Sequence, residues 1–237
     1  MSRPVARIGQ GLAGKRVLVT QAQDFMGPVL LDAFGAHGAR VAGDARALTE
    51  PPAAEDAVRQ AAAALGGPVE VLIVNLGVPA PSTRAHAVPD DEWRAVFAHL
   101  VDPLPRLARA VLPDMLARGA GKIVVMGSAT ALRGQKRTST YAAARGAQLA
   151  WVRAVGAEVA AHNVQVNLIA QNFVDNPMYY GPDVQALPAF QERLRREVPA
   201  GRLATPEEDA LFAIFLASDE VSFFAGQSFP FSGGWVT

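Results

Sequence analysis

The chain has 237 residues, of which half are hydrophobic, with 22 basic and 22 acidic residues and no cysteine. The lack of cysteine excludes disulfides, thiolate metal sites and cysteine nucleophiles. Charges of both signs are interspersed, which argues against a nucleic-acid binder or a membrane-surface protein. No apolar run approaches the ~18 to 20 residues of a membrane span, and the opening residues lack the apolar core of a signal peptide. We therefore expect a soluble, cytoplasmic protein without nucleic-acid or membrane partners, which binds a small uncharged ligand.

Strand and helix signals alternate along the chain. Apolar and β-branched runs predict strands at residues 16–20, 39–44, 69–75, 122–128, 164–170 and 227–231. Helical periodicity predicts helices at residues 26–38, 53–65, 90–118, 139–162, 185–197 and 205–218, the third interrupted by Pro103, Pro105 and Pro113. Near-continuous apolar strands between helices indicate a mostly parallel sheet covered on both faces. The sequence thus predicts a single α/β domain over residues 1–237 with a doubly wound parallel sheet flanked by helices.

Three polar residues fall where ligands bind in such sheets, beyond the carboxyl ends of the strands. Ser128 closes a predicted strand, Tyr141 lies in the first turn of the next helix, and Arg145 follows four residues later on the same helical face. Taken singly, each has an ordinary explanation as a turn residue, a packing residue or a solvated cation. Together, their positions predict a catalytic cluster.

The turn after the first predicted strand reads TQAQDFMG, residues 20–27. A dinucleotide site needs glycines there, because they allow the tight turn and let the backbone approach the pyrophosphate. Only Gly27 is present; Gln21 crowds the turn and Phe25 fills space that the cofactor needs. Asp44 stands at the place of a ribose-binding acid, but without the glycines we interpret it as a strand-end polar residue. The pattern predicts a protein that binds no nicotinamide cofactor.

The chain resembles the short-chain dehydrogenase/reductase superfamily along nearly its whole length. IVNLG at 73–77 is similar to its Asn-Asn-Ala-Gly strand end, Ser128 and Tyr141 match its catalytic serine and tyrosine, and AGQSFPFSGG at 225–234 resembles its closing strand and Gly-Gly turn. The resemblance implies a Rossmann-like fold. Arg145 stands where those dehydrogenases carry lysine, so both this residue and the glycine loop depart from the pattern at cofactor contacts.

Both departures resemble the halohydrin dehalogenases, a cofactor-independent branch of the superfamily. That family combines an irregular loop containing Phe or Tyr with a Ser, Tyr, Arg triad, matched here by Phe25 and by Ser128, Tyr141 and Arg145. The resemblance implies a carbon–halide lyase that closes vicinal haloalcohols to epoxides and, in reverse, opens epoxides with halide, azide, cyanide or nitrite. It implies a homotetramer as well. The predicted halide pocket is built from Phe25, Gln171, Asn172, Phe173 and Val174, with Met178 and Tyr180 lining the substrate pocket.

The three triad residues suit this chemistry. A free phenol ionises near pH ~10, so a tyrosine base needs a neighbouring positive charge that favours the phenolate. Arg145 would supply that charge to Tyr141, and Ser128 would donate a hydrogen bond to the substrate oxygen. Backbone amides around Phe173 and Val174, with the Asn172 side chain, would form the nest for the leaving halide.

Some questions stay open at the sequence level. In some dehalogenases an acidic residue supports the arginine, but here that place holds Leu76, so Arg145 needs another partner. His99 either contacts the Tyr141 region or lies on an exposed face, and we favour the second interpretation. The four histidines do not pair at ligand spacing, so no metal is expected. Two alternative functions remain: an NAD(P)-dependent short-chain reductase that tolerates an unusual loop, and a non-catalytic binding protein of the same fold.

Overall fold

The computed structural model of the protein describes residues 10–236. Six strands make up its sheet: β1 Arg16–Thr20, β2 Arg40–Asp44, β3 Val71–Asn75, β4 Gly121–Ser128, β5 Val164–Gln171 and β6 Ser228–Phe231. Within the described residues, nine α-helices connect or follow the strands: α1 Gly27–Ala36, α2 Pro51–Leu65, α3 Asp90–Leu100, α4 Pro103–Arg118, α5 Ser139–Val159, α6 Pro177–Tyr180, α7 Pro182–Gln185, α8 Pro188–Glu197 and α9 Pro206–Ala217. Single 3₁₀ turns lie at Gln10–Leu12, Ala85–Ala87, Ala129–Ala131 and Ala160–His162.

All strand pairs are parallel, and the order is β2-β1-β3-β4-β5-β6. Successive residues of β3 enter different cores: Leu72 and Val74 pack on one face of the sheet, Val71 and Ile73 on the other. A strand buried on both faces needs an apolar run rather than an alternating pattern, which is why the sequence reads as it does. The predicted single α/β domain with a Rossmann-like, doubly wound parallel sheet is confirmed. The strand order reverses between β1 and β3, where such sheets form their ligand crevice.

The helix predicted at 90–118 is two helices, separated at Val101 and Asp102. Pro103 starts the second helix, because proline suits the first helical position and lacks the N–H that a continuing helix would use. Pro113, by contrast, lies inside α4 without ending it. The charged helix predicted from residue 185 begins at Pro188, after two one-turn helices. Prolines thus mark the starts of α4 and α8, which hydrophobic periodicity alone did not predict.

No helix within residues 10–236 combines the length and the apolar character that crossing a membrane requires.

Helix α9 buries a carboxyl group in its first turn. Asp209 has no exposed surface, and neither of its carboxylate oxygens has a hydrogen-bond partner among the described residues. Burial in this apolar setting raises the pKa of Asp209 from 3.8 to about 8. The folded protein therefore keeps this proton at pH values where the unfolded chain has released it.

This difference predicts a pH-dependent stability. The folded-state pKa lies above the unfolded one, so the free energy of unfolding falls as pH rises from about 4 to about 8, by up to ~1.4 kcal/mol per pH unit. Asp209→Leu removes the titrating group, and its urea-unfolding free energy should vary less over that range than that of the wild type. Glu207→Gln, which changes an exposed carboxylate of the same turn, is the matched control and should keep the wild-type slope. Equal slopes for Asp209→Leu and wild type would contradict the prediction.

Candidate active site

The three triad residues converge at the carboxyl ends of the central strands. Ser128 ends β4, Tyr141 lies in the first turn of α5, and Arg145 lies one turn further along that helix. The Ser128 hydroxyl lies 2.9 Å from the Thr130 hydroxyl and accepts a hydrogen bond from the Thr130 N–H at 3.2 Å. Ser128 and Tyr141 line the same cavity. The structure thus brings together the residues that the sequence pattern singles out.

Arg145 is completely buried beneath the tyrosine. Its Nη1 donates to the Met126 carbonyl at 3.1 Å and to the Gln148 Oε1 at 2.9 Å, and its Nη2 donates to the Leu76 carbonyl at 3.0 Å. The guanidinium carbon lies 5.0 Å from the centroid of the Tyr141 ring. Two carbonyls and one amide therefore take the place of the acidic partner, and Leu76 contributes through its backbone.

The charge of Arg145 is kept in this buried position by its neighbours. Burial by itself lowers the pKa of Arg145, but the phenols of Tyr141 and Tyr179 outweigh it, and the pKa lies above its ordinary value. A permanent cation buried beside a phenol favours the phenolate form. Arg145 therefore places a buried positive charge against the Tyr141 ring without itself lining the cavity.

Tyr179 is a site residue that the sequence analysis missed. Its hydroxyl lies 3.3 Å from that of Tyr141 and donates to the Val78 carbonyl at 2.6 Å. Burial, with the neighbouring Tyr141, raises the pKa of Tyr179. The sequence shows only that two adjacent tyrosines follow β5, and Tyr180 rather than Tyr179 was predicted to line the substrate pocket. Burial also raises the pKa of Tyr180 to about 12, so both loop phenols stay protonated at neutral pH.

A small cavity of about 100 Å³ opens beside these groups. Besides Ser128 and Tyr141, its walls include six residues predicted for the halide and substrate pockets: Phe25, Gln171, Asn172, Phe173, Val174 and Tyr180. Met178 is not among the lining residues; its sulfur lies 3.4 Å from where a β-carbon on Gly77 would stand. The predicted pocket residues therefore share one space, and Met178 lies behind it.

One donor of the predicted anion nest is already occupied, while the predicted Asn172 side-chain amide is unpartnered. The Phe173 N–H donates to the Asn172 Oδ1 at 2.9 Å, and the same oxygen accepts from the Tyr180 hydroxyl at 2.9 Å. The Phe173 amide is thus already occupied. The Asn172 Nδ2 and both polar atoms of the Gln171 side chain are buried without a partner in the described part of the chain. Two side-chain amides are therefore the free donors.

The loop between β1 and α1 closes the crevice at the strand-order reversal. Gln21 and Phe25 both have positive φ, at 42° and 54°, a conformation that side-chain-bearing residues adopt rarely. The Gln21 side chain accepts from the Gly77 N–H at 2.7 Å and donates to the Gly77 carbonyl at 3.4 Å. Asn75 Nδ2 donates to the carbonyls of Gln21 and Asp24, each at 3.0 Å. These bonds hold the loop across the end of β3.

A nicotinamide dinucleotide, which the fold implies, does not fit these residues. The Phe25 ring packs edge-on to Tyr179 at 5.7 Å, and its β-carbon lies 3.1 Å from the β-carbon position of Gly77, so the ring lies over the crevice. Arg145 is buried and bound to carbonyls, so it cannot reach a ribose. Asp44 already forms an ion pair with Arg46 at 2.7 Å. The glycine-lined approach to a pyrophosphate is missing as well.

Two further sequence questions concern histidine and metals. His99 Nδ1 lies 2.8 Å from the Ala95 carbonyl on its own helix, and no contact joins it to Tyr141 or Arg145. Residues 10–236 contain no group of three or more histidine or acidic side chains that could hold a metal ion.

Comparison with known proteins places this arrangement in a family. A sequence profile described as enoyl-(acyl carrier protein) reductase matches residues 13–236. The chain belongs to the short-chain dehydrogenase/reductase superfamily. Within that superfamily, the 3-oxoacyl-(acyl-carrier-protein) reductase FabG of Salmonella typhimurium is 28% identical over 243 residues, covering 93% of this chain and 97% of the relative.

Two solved structures of the superfamily resemble the chain closely in fold. One, described as a dehalogenation enzyme, has a TM-score of 0.88 and 26% identity, and the match covers 95% of this chain and 100% of the other. The second, a gluconate 5-dehydrogenase from Burkholderia cenocepacia in complex with NADP and tartrate, has a TM-score of 0.86 and 25% identity, covering 95% and 96%. The proteins that this chain resembles thus include both oxidoreductases and a dehalogenation enzyme. Overall similarity does not distinguish these two functions, so the residues of the site have to.

Proposed function

We propose that the protein is a cofactor-independent halohydrin dehalogenase, which converts vicinal haloalcohols to epoxides and opens epoxides with small anions in the reverse direction. The observation that carries the proposal is a tyrosine stacked over a buried arginine, facing a small cavity with two unpartnered side-chain amides. A base and an anion site within one cavity are what such a displacement needs.

Proton removal falls to Tyr141. As phenolate, Tyr141 takes the proton of the substrate hydroxyl, and the resulting alkoxide attacks the neighbouring carbon from the side opposite the halide. The carbon–oxygen bond forms as the carbon–halogen bond breaks, and the halide leaves with the bonding electron pair. In this proposal Arg145, whose guanidinium carbon lies 5.0 Å from the centroid of the Tyr141 ring, supplies a positive charge beside the phenolate.

Ser128 positions the substrate oxygen. Its hydroxyl faces the cavity and now pairs with Thr130 at 2.9 Å. A hydroxyl can turn to donate to the alkoxide while it still accepts from the Thr130 N–H, so no other group has to move. This hydrogen bond would hold the oxygen in line for displacement.

The unpartnered amides of Gln171 and Asn172 would receive the leaving halide. Leaving a buried amide donor unpaired costs ~1 to 3 kcal/mol, which an anion in the cavity offsets. The Phe25 ring provides an apolar wall close by, and the Asn172 oxygen is turned toward Phe173 and Tyr180, so its N–H groups remain for the anion. The dehalogenation enzyme of the same fold adds support.

A nicotinamide-dependent reductase is the second candidate. The full-length sequence relative is named as a reductase, and the gluconate dehydrogenase of similar fold binds NADP. Asp44, at the end of β2, lies where such enzymes contact the adenosine ribose, although its carboxylate is already paired with Arg46. The blocked crevice and the buried Arg145 weigh against this function.

Halide release without cofactor is the decisive test. Purified protein incubated with 1,3-dibromo-2-propanol should release bromide in a colorimetric halide assay, unchanged by added NADH or NADPH. A crystal soaked in bromide should place an ion beside the Asn172 and Gln171 amides. Absence of bromide release together with tight NADPH binding in a fluorescence titration would establish the reductase instead.

A further inference from the structure

A larger depression adjoins the mouth of the catalytic cavity. Its volume is about 890 Å³, and Gln135 and Thr138 line both spaces. The walls of this depression come from the loop between β4 and α5, the end of α8 and the C-terminal tail. We call it the basic groove after its charged lining residues, which are Arg133, Lys136, Arg193, Arg196 and Glu197.

Positive charge is in excess within the basic groove. Its one acidic side chain, Glu197, pairs with Arg193 at 3.2 Å and with Arg196 at 3.0 Å. Neither Arg133 nor Lys136 takes part in any ion pair found between residues 10 and 236. Two cations are thus left without a counter-charge at the cavity mouth, in a chain whose overall charge is balanced.

One of these cations is held in a fixed position. The guanidinium of Arg133 lies 4.7 Å from the centroid of the Trp235 ring and donates to the Trp235 carbonyl at 2.6 Å. Trp235 in turn packs edge-on against Phe173, which lines the cavity, with 6.0 Å between ring centroids. Lys136 is exposed on the same loop. The groove therefore presents one pre-positioned cation, Arg133, and one exposed cation, Lys136, in a space that shares Gln135 and Thr138 with the catalytic cavity.

From this geometry we infer that the natural substrate carries a carboxylate remote from its reacting carbons, and that the basic groove binds this carboxylate. The inference rests on the proposed function. A cavity of about 100 Å³ holds only the small reacting end of a molecule, so the rest of a longer substrate extends past Gln135 and Thr138 into the groove. The balanced and interspersed charges of the sequence predicted an uncharged ligand, whereas the folded chain brings several basic side chains together at the groove.

Matched acid and ester substrates test the inference. Terminal chlorohydrins of ω-carboxylic acids, of increasing chain length, are compared with their methyl esters. In wild-type protein, kcat/KM for the acid should exceed that for the ester by about tenfold once the chain is long enough to reach the groove, through a lower KM. Added salt should shrink this ratio. Lys136→Glu should reduce the acid-to-ester ratio to about one, whereas Arg59→Glu, a charge reversal on exposed α2, should preserve it.

Binding is measured separately from turnover, so that two failures can be told apart. Isothermal titration calorimetry of the acid and the ester on Tyr141→Phe protein should give tighter binding of the acid, abolished by adding Lys136→Glu. If the acid binds more tightly than the ester but wild-type protein turns over neither, the proposed function is wrong, whereas the inference that the basic groove binds a carboxylate stands. If acid and ester bind equally well, or if Lys136→Glu weakens the binding of both by the same factor, the basic groove does not bind the carboxylate and the inference is wrong.

Discussion

Replacement of Tyr141 by phenylalanine should lower the rate of halide release by ~10³-fold. The change removes only the hydroxyl oxygen, which lies 3.3 Å from the Tyr179 hydroxyl and also interacts with Arg145, and the fold should be kept because the ring remains in place. The substrate then has no phenolate to take its proton. The measurement is kcat for bromide release from 1,3-dibromo-2-propanol, with circular dichroism to confirm an unchanged fold.

The two tyrosines of the one-turn helix α6 provide the matched comparison. Tyr180→Phe loses a hydrogen bond to Asn172 and Tyr179→Phe loses one to Val78, yet each variant should retain activity within about tenfold, because burial raises the pKa of both phenols and keeps them protonated. If kcat for bromide release falls no further in Tyr141→Phe than in these two variants, Tyr141 is not the base and the proposed mechanism is wrong.

The sheet could be predicted because its signal is local. Each central strand is five to eight residues long, buried along its whole length and rich in β-branched and other apolar residues, as burial on both faces of the sheet requires. The division of 90–118 into two helices could not be predicted so well, because one proline starts a helix at Pro103 while another, Pro113, lies within it. Whether a proline ends a helix depends on its neighbours in space.

The same distinction applies to the site. Ser128, Tyr141 and Arg145 lie within one strand–helix unit, so their spacing along the chain largely determines their arrangement. Tyr179 lies in α6, 38 residues after Tyr141 in the sequence, and contacts it only through the fold. No local sequence pattern predicts that contact. Sequence alone also does not show which predicted donors of the anion site are occupied: the Asn172 Oδ1 accepts a hydrogen bond from the Phe173 N–H.

The buried arginine makes contacts at position 145 that a lysine could not make. A lysine has one ammonium group, whereas the guanidinium reaches carbonyls on two neighbouring strand ends, at Leu76 and Met126, together with Gln148. Gln148 is itself anchored, since its Nε2 donates to the Leu100 carbonyl at 2.7 Å. Arg145 therefore both connects β4, the end of β3 and Gln148 through hydrogen bonds and places a positive charge beneath Tyr141.

Arg145→Met should accordingly damage both stability and activity. It leaves three buried acceptors without a donor, which predicts a loss of ~3 to 5 kcal/mol in the free energy of unfolding measured with urea. It also removes the charge that favours the Tyr141 phenolate, so any residual halide release should shift to higher pH. Arg145→Lys keeps the charge but not the fork of donors, and should lie between Met and wild type in both measurements.

A matched arginine on the same helix separates these effects from a general loss of charge. Arg153 is exposed on α5, and Arg153→Met should change stability by less than ~0.5 kcal/mol and leave the pH profile of halide release in place. A pH profile of Arg145→Met that matched wild type would show that the phenolate does not depend on the guanidinium. Activity would then have to arise from the cavity and its amides alone, and an unpaired tyrosine at neutral pH would be a poor base for that reaction.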